Sequence, residues 1–237
     1  MGTHTVKYLL VNPEIITEGA LTCNDIVSVK LPYTVKSINW WCVGTNSNNL
    51  TSIDLNSVEI LWGSGIIGNF SNIYIPKTVT HYGVFENAGE LVWAKPAIMG
   101  YINSITVDPE NLFFDSRNNC NAVIETNTNA LLQGSATTVI PNDIVEIKNS
   151  AFNGQNITSI TIPESVMSIG EDAFNGCTLL TSVYCLATVP PTLGTNVFGA
   201  ASSESSLKIY VPAESLNDYS QATNWSAYYS SNQILAM

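Results

Sequence analysis

The chain has 237 residues, of which 11% are charged, and 8 basic against 19 acidic residues give a net charge of −11. An ordinary globular domain carries about 25% charged residues, so this surface is expected to be polar without being ionic, which suits an extracellular setting. The acidic balance opposes nucleic-acid binding, because phosphate contacts depend on clustered lysine and arginine. No window approaches 18 consecutive apolar residues, so no membrane-spanning helix is expected.

Residues 1–19 are predicted to form an N-terminal cap. They combine the apolar run Tyr8–Val11 with the turn signal Asn12-Pro13. A cap is expected because the first coil of a repeated fold otherwise exposes an apolar face and an unpaired sheet edge. The stretch has no basic start followed by an apolar run and a cleavage site, so no secretory signal is expected within the printed sequence. An earlier segment that was trimmed stays an alternative.

From Ala20 onward the sequence repeats one apolar pattern. Its clearest copies contain Phe152 and Phe174, which are 22 residues apart and each follow an alanine. A fixed period of this length indicates a solenoid, in which each coil packs on its neighbours. Alternating apolar residues predict a half-buried strand in each copy, and stacked copies give a parallel sheet. Proline ends the strand because it cannot donate to the ladder. It recurs at Pro32, Pro76, Pro141, Pro163 and Pro212.

The repeat predicts one β-dominated solenoid domain over residues 1–237. Two short apolar runs flank Asn127–Asn129, which indicates a β-hairpin between coils. Large residues near the C-terminus are spaced as on a helix, and their tyrosine and tryptophan rings are expected to cover the last coil. In chain order, the predicted parts are the N-terminal cap (1–19), degenerate repeats (20–107), the inserted hairpin (108–134), regular repeats (135–212) and a short C-terminal helical cap (213–237).

The repeat breaks over residues 60–68, 86–101 and 108–134, and these breaks are where specific recognition is expected. Insertions within a coil map to a loop on one side of a solenoid, often the side that binds. The insertion at 86–101 carries Trp93, although packing of its ring onto the coil beneath stays an open alternative. The predicted ligand-contact residues are Trp93, Trp62, Tyr101 and Trp40.

Catalytic, metal-binding and cofactor-binding residues are not expected. The sequence has no HExxH, GxxxxGK[ST] or DxDxDG motif. Of its two histidines, His4 falls near the N-terminus and His81 in a polar slot of a coil. The acidic segment 108–111 offers oxygen ligands for a hard cation, but a turn is the simpler interpretation. Asp115 and Arg117 mark either a site or a structural anchor of the hairpin.

The five cysteines leave at least one thiol unpaired unless another chain supplies a partner. They are Cys23, Cys42, Cys120, Cys177 and Cys185. No CxxC pair occurs. Cys177 occupies the same repeat position as Gln155, so it is interpreted as a small side chain that fills the interior of a coil.

The repeat resembles the BspA-like leucine-rich repeats of the Treponema-pallidum type, written Ile-Gly-x-x-Ala-Phe-x-x-Cys-x-x-Leu-Thr-Ser-Ile-x-Ile-Pro-x-x-Val-x-x-Ile. The first part of that pattern matches Ile169–Cys185, with Val183 and Cys185 in place of the strand isoleucines, and the second part matches Ile160–Ile169. The segment Phe114–Thr126 also resembles one found between such repeats in gut Bacteroidetes proteins. The resemblance implies a right-handed leucine-rich-repeat solenoid that is secreted or displayed at the cell surface.

The resemblance further implies recognition or adhesion, with a host or microbial protein or glycan as partner and no catalysis. No binding motif is shared across the family, so no site residue is carried over from it. One alternative is a specific carbohydrate-binding protein, which requires exposed aromatic rings; its candidates are Trp40, Trp41, Trp62 and Trp93. The other alternative is a structural spacer of a larger surface protein.

Overall fold

A computed structural model describes residues 14–17, 19–21, 26–44, 49–88, 90–199 and 206–237. Within it the chain divides into two compact units, Met1–Asp115 and Ser116–Met237. The apolar run and turn signal predicted before Glu14, together with His4 and Cys23, lie outside the described residues. No helix in the described ranges is long and apolar enough to cross a membrane.

The first unit is a stack of coils that contribute to three ladders. β1, β3, β5 and β8 pair in parallel, and β9 folds back antiparallel on β8. Parallel pairs β2–β4 and β7–β11 form a second side, and β6–β10 belongs to a third. The strands are β1 (Ile15–Ile16), β2 (Ser28–Lys30), β3 (Ser37–Ile38), β4 (Ser52–Asp54), β5 (Ile60–Trp62), β6 (Ile66–Ile67), β7 (Ile73–Ile75), β8 (His81–Asn87), β9 (Glu90–Trp93), β10 (Ile98–Met99), β11 (Ile105–Val107) and β12 (Phe114–Asp115).

The second unit stacks its coils in the same parallel way. One sheet runs in the order β13-β14-β15-β17-β19, and another in the order β16-β18-β20-β21. The elements are β13 (Val123–Glu125), β14 (Ala130–Gln133), β15 (Glu146–Ile147), β16 (Ser159–Ile162), β17 (Ser168–Ile169), β18 (Ser182–Cys185), β19 (Thr192–Leu193), β20 (Lys208–Val211), α1 (Leu216–Gln221), α2 (Trp225–Ser230) and β21 (Ile234–Ala236), with 3-10 turns at Arg117–Asn119 and Ala213–Ser215. The predicted β-dominated solenoid of stacked parallel strands is confirmed.

The recurring prolines begin a tight turn that carries the chain from one ladder to the next. The Val35 backbone N–H donates to the Pro32 carbonyl at 3.1 Å. The same bond recurs at Val79–Pro76, Ile144–Pro141 and Val166–Pro163. Each turn sends a fully buried valine or isoleucine inward. The Val-x-x-Ile spacing after the proline is therefore the sequence signal of this corner.

The core of the second unit is a column of aromatic rings, one from each coil. Phe152 and Phe174 stack at 4.8 Å between ring centroids, and Phe174 and Phe198 stack at 5.5 Å. Beyond Phe198, the buried Trp225 and the Tyr228 ring from α2 close the column. The predicted C-terminal helical cap is thus confirmed. It continues into β21, which returns to the sheet beside β20.

Two predicted insertions take a more regular form than expected. The loop predicted at 86–101 begins as a β-hairpin, because β-branched and aromatic residues pair across it, Val84 with Trp93 and Phe85 with Val92. The predicted hairpin within 108–134 is formed by β13 and β14. Its second strand also pairs in parallel with β15, so this strand is itself a member of the coil ladder.

Candidate functional site

One turn position of the repeat requires a left-handed backbone, and a tryptophan fills it in the first unit. In six coils the position lies three residues after a buried Ile or Leu, and its φ values fall between 52° and 75°. Its occupants are Gly19, Trp41, Ser64, Ser150, Asp172 and Asn196. Glycine, asparagine and aspartate tolerate this conformation, whereas a bulky side chain makes it an outlier that costs of order 1–3 kcal/mol. Trp41 is 45% exposed, so burial of its ring compensates only part of that strain.

Beside this turn lies a cluster of rings that we call the tryptophan patch: Trp40, Trp41, Trp62 and Phe85. The Trp40 ring centroid is 6.3 Å from that of Trp62 and 6.5 Å from that of Phe85, at tilted and edge-on angles. Trp40 is 38% exposed, and Trp62 and Phe85 are half-buried. The Lys95 ammonium lies 5.9 Å from the centroid of the Trp41 ring. The patch therefore offers aromatic surface to solvent beside one cation.

A chain of hydrogen bonds runs beneath the patch. The Trp62 indole Nε1 donates to the Ser37 hydroxyl at 3.1 Å, and this hydroxyl donates to Asn39 Oδ1 at 3.0 Å. Ser37 is buried, and β3 and β5 hold it beside Trp62 in neighbouring coils. The two bonds fix both the indole ring and the side-chain amide of Asn39, which directly precedes Trp40.

Trp93 packs against the coil instead of pointing into solvent. Its ring lies over Gly83, where a Cβ atom would come within 2.4 Å of the ring. Its Nε1 atom is buried and has no hydrogen-bond partner among the described residues. Gly83 has φ +67° at a bulge between β5 and β8. The open alternative for Trp93, packing onto the coil, is the arrangement observed.

Replacing Gly83 with alanine is expected to destabilise the chain by about 2–3 kcal/mol. The left-handed backbone costs about 1–2 kcal/mol, and the new methyl group collides with the Trp93 ring and the Lys95 carbonyl, which adds overpacking strain. Gly154→Ala is the matched control, because Gly154 has φ +71° and open space around its Cβ position. Urea denaturation of both variants measures the difference in free energy of unfolding. Equal losses of stability would show that contact between the new methyl group and the Trp93 ring adds no strain.

The remaining predicted contact residue, Tyr101, lies elsewhere in the first unit. Its hydroxyl donates to Asn103 Oδ1 at 3.3 Å, and its backbone carbonyl accepts from the Phe70 N–H. Of the four predicted residues, the structure brings Trp40 and Trp62 together and seats Trp93 on the same hairpin as Phe85. Sequence reasoning did not select Phe85, Asn39 or Lys95 as site residues, because none of them occupies a recurring position of the repeat. Trp41 stands out only when the residues at the same turn position are compared between coils.

The second unit carries a different exposed pair of aromatic rings. Tyr184 and Tyr210 stack at 4.9 Å on the outer face of β18 and β20, between Thr161 and Leu235 in neighbouring strands. A shallow groove of about 510 Å³ lies in the same unit, and Pro163, Leu186 and polar side chains line it. In the stacked pair each ring covers one face of the other.

Two cysteines of the second unit are buried thiols, and the described histidine, His81, lies at the surface. Burial raises the pKa of the Cys177 thiol to about 12, and burial also raises the pKa of Cys185, so both thiols are poor nucleophiles. His81 is exposed and hydrogen-bonds to the Thr80 hydroxyl. Within the described ranges, no group of three His, Cys, Asp or Glu side chains is placed to hold a metal ion.

At the third break, residues 108–134, the acidic segment and Arg117 both form hydrogen bonds that hold the local chain. Asp108 accepts from the Glu110 backbone N–H, and this bond and the Tyr74 hydroxyl lower the pKa of its carboxyl group. The segment is thus a hydrogen-bonded turn. Arg117 donates to Asn129 Oδ1 at 2.7 Å and to Asp143 Oδ2 at 2.5 Å, which anchors the hairpin.

Stacked parallel coils with prolines at one corner are the features of a leucine-rich-repeat solenoid. The family described as the BspA type leucine rich repeat region matches residues 12–95 and 123–224, in six copies. The chain belongs to this family, as the resemblance of the repeat predicts. No curated protein matches the sequence.

Solved structures of bacterial proteins share the fold. A leucine rich cell surface protein from Faecalibacterium prausnitzii is 19% identical with a TM-score of 0.55, over 90% of this chain and 60% of its own. A leucine-rich repeat protein from Eubacterium ventriosum is 19% identical with a TM-score of 0.50, over 84% and 58%. The pneumococcal vaccine antigen PcpA is 13% identical with a TM-score of 0.54, over 79% and 51%. The matched region thus spans 51 to 60% of each of these longer chains.

Proposed function

We propose that this chain is a secreted or cell-surface recognition module, which binds a host or microbial protein or glycan through the tryptophan patch and catalyses no reaction. The observation that carries the proposal is Trp41, a half-exposed aromatic residue in a strained turn that five other coils fill with glycine, serine, aspartate or asparagine. Strained residues persist where the surrounding structure enforces them, and they cluster at binding sites.

The family and the composition support the extracellular part of the proposal. One structural neighbour is described as a cell surface protein and another as a vaccine antigen. The low charged fraction, 11%, suits a surface exposed outside the cell. The proposal also includes a single repeat domain over residues 1–237 and a relation to gut Bacteroidetes proteins, which the sequence resembles. Tryptophan is enriched among residues that dominate binding energy at interfaces, which favours the patch over the polar faces of the coils.

Adherence assays test this function. Beads carrying the full chain are expected to adhere to at least one of three layers: fixed epithelial cells, immobilised mucin or fixed bacteria. Combining Trp40→Ala with Trp41→Asn should lower adherence about tenfold, since each ring contributes on the order of 1 kcal/mol or more to contact. The matched control is Tyr184→Ala, which removes an exposed ring outside the patch. No adherence to any layer would instead favour a structural spacer, and adherence that the double variant retains would place the binding surface outside the patch.

A further inference from the structure

The geometry points to a neutral saccharide as the ligand of the tryptophan patch. The partly exposed Trp40 and Trp41 rings would stack on sugar rings, while the Asn39 amide nitrogen donates to a ring or hydroxyl oxygen. This inference rests on the proposed function, because it names the ligand class of the same patch. Two observations support the inference: the hydrogen-bond chain below the rings and the charges around them.

The hydrogen-bond chain sets the direction in which Asn39 presents its amide. The Ser37 hydroxyl accepts from the Trp62 indole and donates its one hydrogen to Asn39 Oδ1 at 3.0 Å. The oxygen of the Asn39 amide thus faces Ser37, and its –NH2 group lies on the other side of the amide. Among the described residues, no group accepts a hydrogen bond from this nitrogen. The amide that directly precedes Trp40 therefore has an oriented –NH2 group available to a ligand.

A sugar ring can contact both the aromatic rings and the Asn39 amide of this surface. Its C–H face carries the weakly positive hydrogens that the negative face of an aromatic ring attracts, and its hydroxyl edge supplies acceptors for an amide. An apolar protein side chain seated on the rings would satisfy the rings but leave the Asn39 donors covered and unpaired, which is unfavourable. The combination of indole faces and an oriented amide therefore favours a saccharide.

The charges around the patch favour a neutral sugar. Lys36 beside the patch is paired with Glu59 at 2.8 Å, and Lys95 is the cation nearest the Trp41 ring. A single lysine does not offset a net charge of −11, which repels densely anionic polymers such as sulfated glycans. The same net charge leaves an uncharged saccharide unaffected.

Calorimetric titration of the full chain with short neutral oligosaccharides of glucose, galactose, mannose and N-acetylglucosamine tests the inference. Heparin and polysialic acid are titrated in parallel as anionic comparisons. At least one neutral series is expected to bind and to change tryptophan fluorescence. Binding that is confined to the anionic polymers, or the absence of binding to every neutral series at millimolar concentration, would overturn it.

Two variants separate loss of binding from loss of folding. Trp41→Asn installs a residue that the equivalent position already carries at Asn196, so the melting temperature is expected to shift by less than about 4 °C while affinity falls about tenfold or more. Ser37→Ala releases the Asn39 amide and should lower affinity about three- to tenfold without removing a ring. The Tyr184→Ala control should bind as the parent does. Retained binding in Trp41→Asn would contradict the inference.

The outcome also separates this inference from the broader function. Periodate destroys sugar diols and leaves most protein epitopes intact, so the adherent layers are tested before and after oxidation. Adherence that depends on the patch and disappears after oxidation supports a saccharide. Adherence that depends on the patch and survives oxidation overturns the saccharide while the recognition function stands, with a protein as the partner.

Discussion

Replacing Phe174 with alanine is expected to lower the free energy of unfolding by about 3–5 kcal/mol, as large-to-small substitutions of buried aromatic residues do. The Phe174 ring is fully buried between Phe152 and Phe198, with stacking angles of 13° and 16°. Its removal opens a cavity in the middle of the column, and both neighbouring coils lose contacts together. Urea denaturation followed by far-UV circular dichroism measures the loss.

The outer tyrosine pair provides the control for this experiment. Tyr184 and Tyr210 stack with almost the same geometry, 4.9 Å and 13°, but Tyr184 is 37% exposed. If burial provides most of the stabilisation, Tyr184→Ala should cost only about 0.5–1.5 kcal/mol, the value of an aromatic pair beyond its buried area. Equal losses in the two variants would show that ring stacking, and not exclusion of water, stabilises the column.

The fold follows from the sequence because each coil repeats the same physical requirements. Buried residues recur at fixed spacing, and proline marks the same corner. The 22-residue spacing of Phe152 and Phe174 therefore predicts that their rings stack in adjacent coils. Even the degenerate N-terminal repeats keep this order, since Ile15 of β1 pairs with Ser37 of β3 as the regular coils do.

The candidate site is harder to predict from the sequence, because its residues do not follow the repeat pattern. Trp40 and Trp62 can be selected as aromatic residues, but the contacts of Trp40 with Trp62 and with Phe85 join three different coils. Trp93 belongs to the same insertion and is seated on Gly83 instead. The direction of the Asn39 amide depends on three side chains from two coils, which no local pattern encodes.

The strained turn joins the scaffold to the proposed site. The Trp41 backbone N–H donates to the Ser64 carbonyl of the next coil at 3.0 Å, as the Gly19 N–H donates to the Trp41 carbonyl. The backbone of this position is therefore fixed by the solenoid whatever side chain it carries. A rigid ladder holds the ring in place before a ligand arrives, which limits the entropy lost on binding.

Replacing Asn111 with alanine is also expected to cost about 3–5 kcal/mol, although the side chain is small and polar. Asn111 Nδ2 donates to the Pro76 and Val79 carbonyls, both at 3.0 Å. Its Oδ1 accepts from the Phe113 and Phe114 backbone N–H groups at 2.8 and 2.9 Å. The Pro76 carbonyl keeps its bond from the Val79 N–H, but each other backbone group that is left buried without a partner costs about 1–3 kcal/mol, and solvent can replace only the more exposed ones.

Two companion variants determine which half of this arrangement matters. Asn111→Asp keeps an acceptor for both N–H groups but places carboxylate oxygens against two carbonyl oxygens, so it should lose at least half as much stability as alanine. Asn72→Ala removes an exposed amide that accepts from the Ser104 hydroxyl, and it should cost less than about 1 kcal/mol. Thermal unfolding of the three variants orders them. If alanine and aspartate at position 111 both match the parent, the bonds to Pro76 and Val79 do not hold this segment onto the preceding coil, and burial of the Phe114 ring against Tyr82 must do so instead.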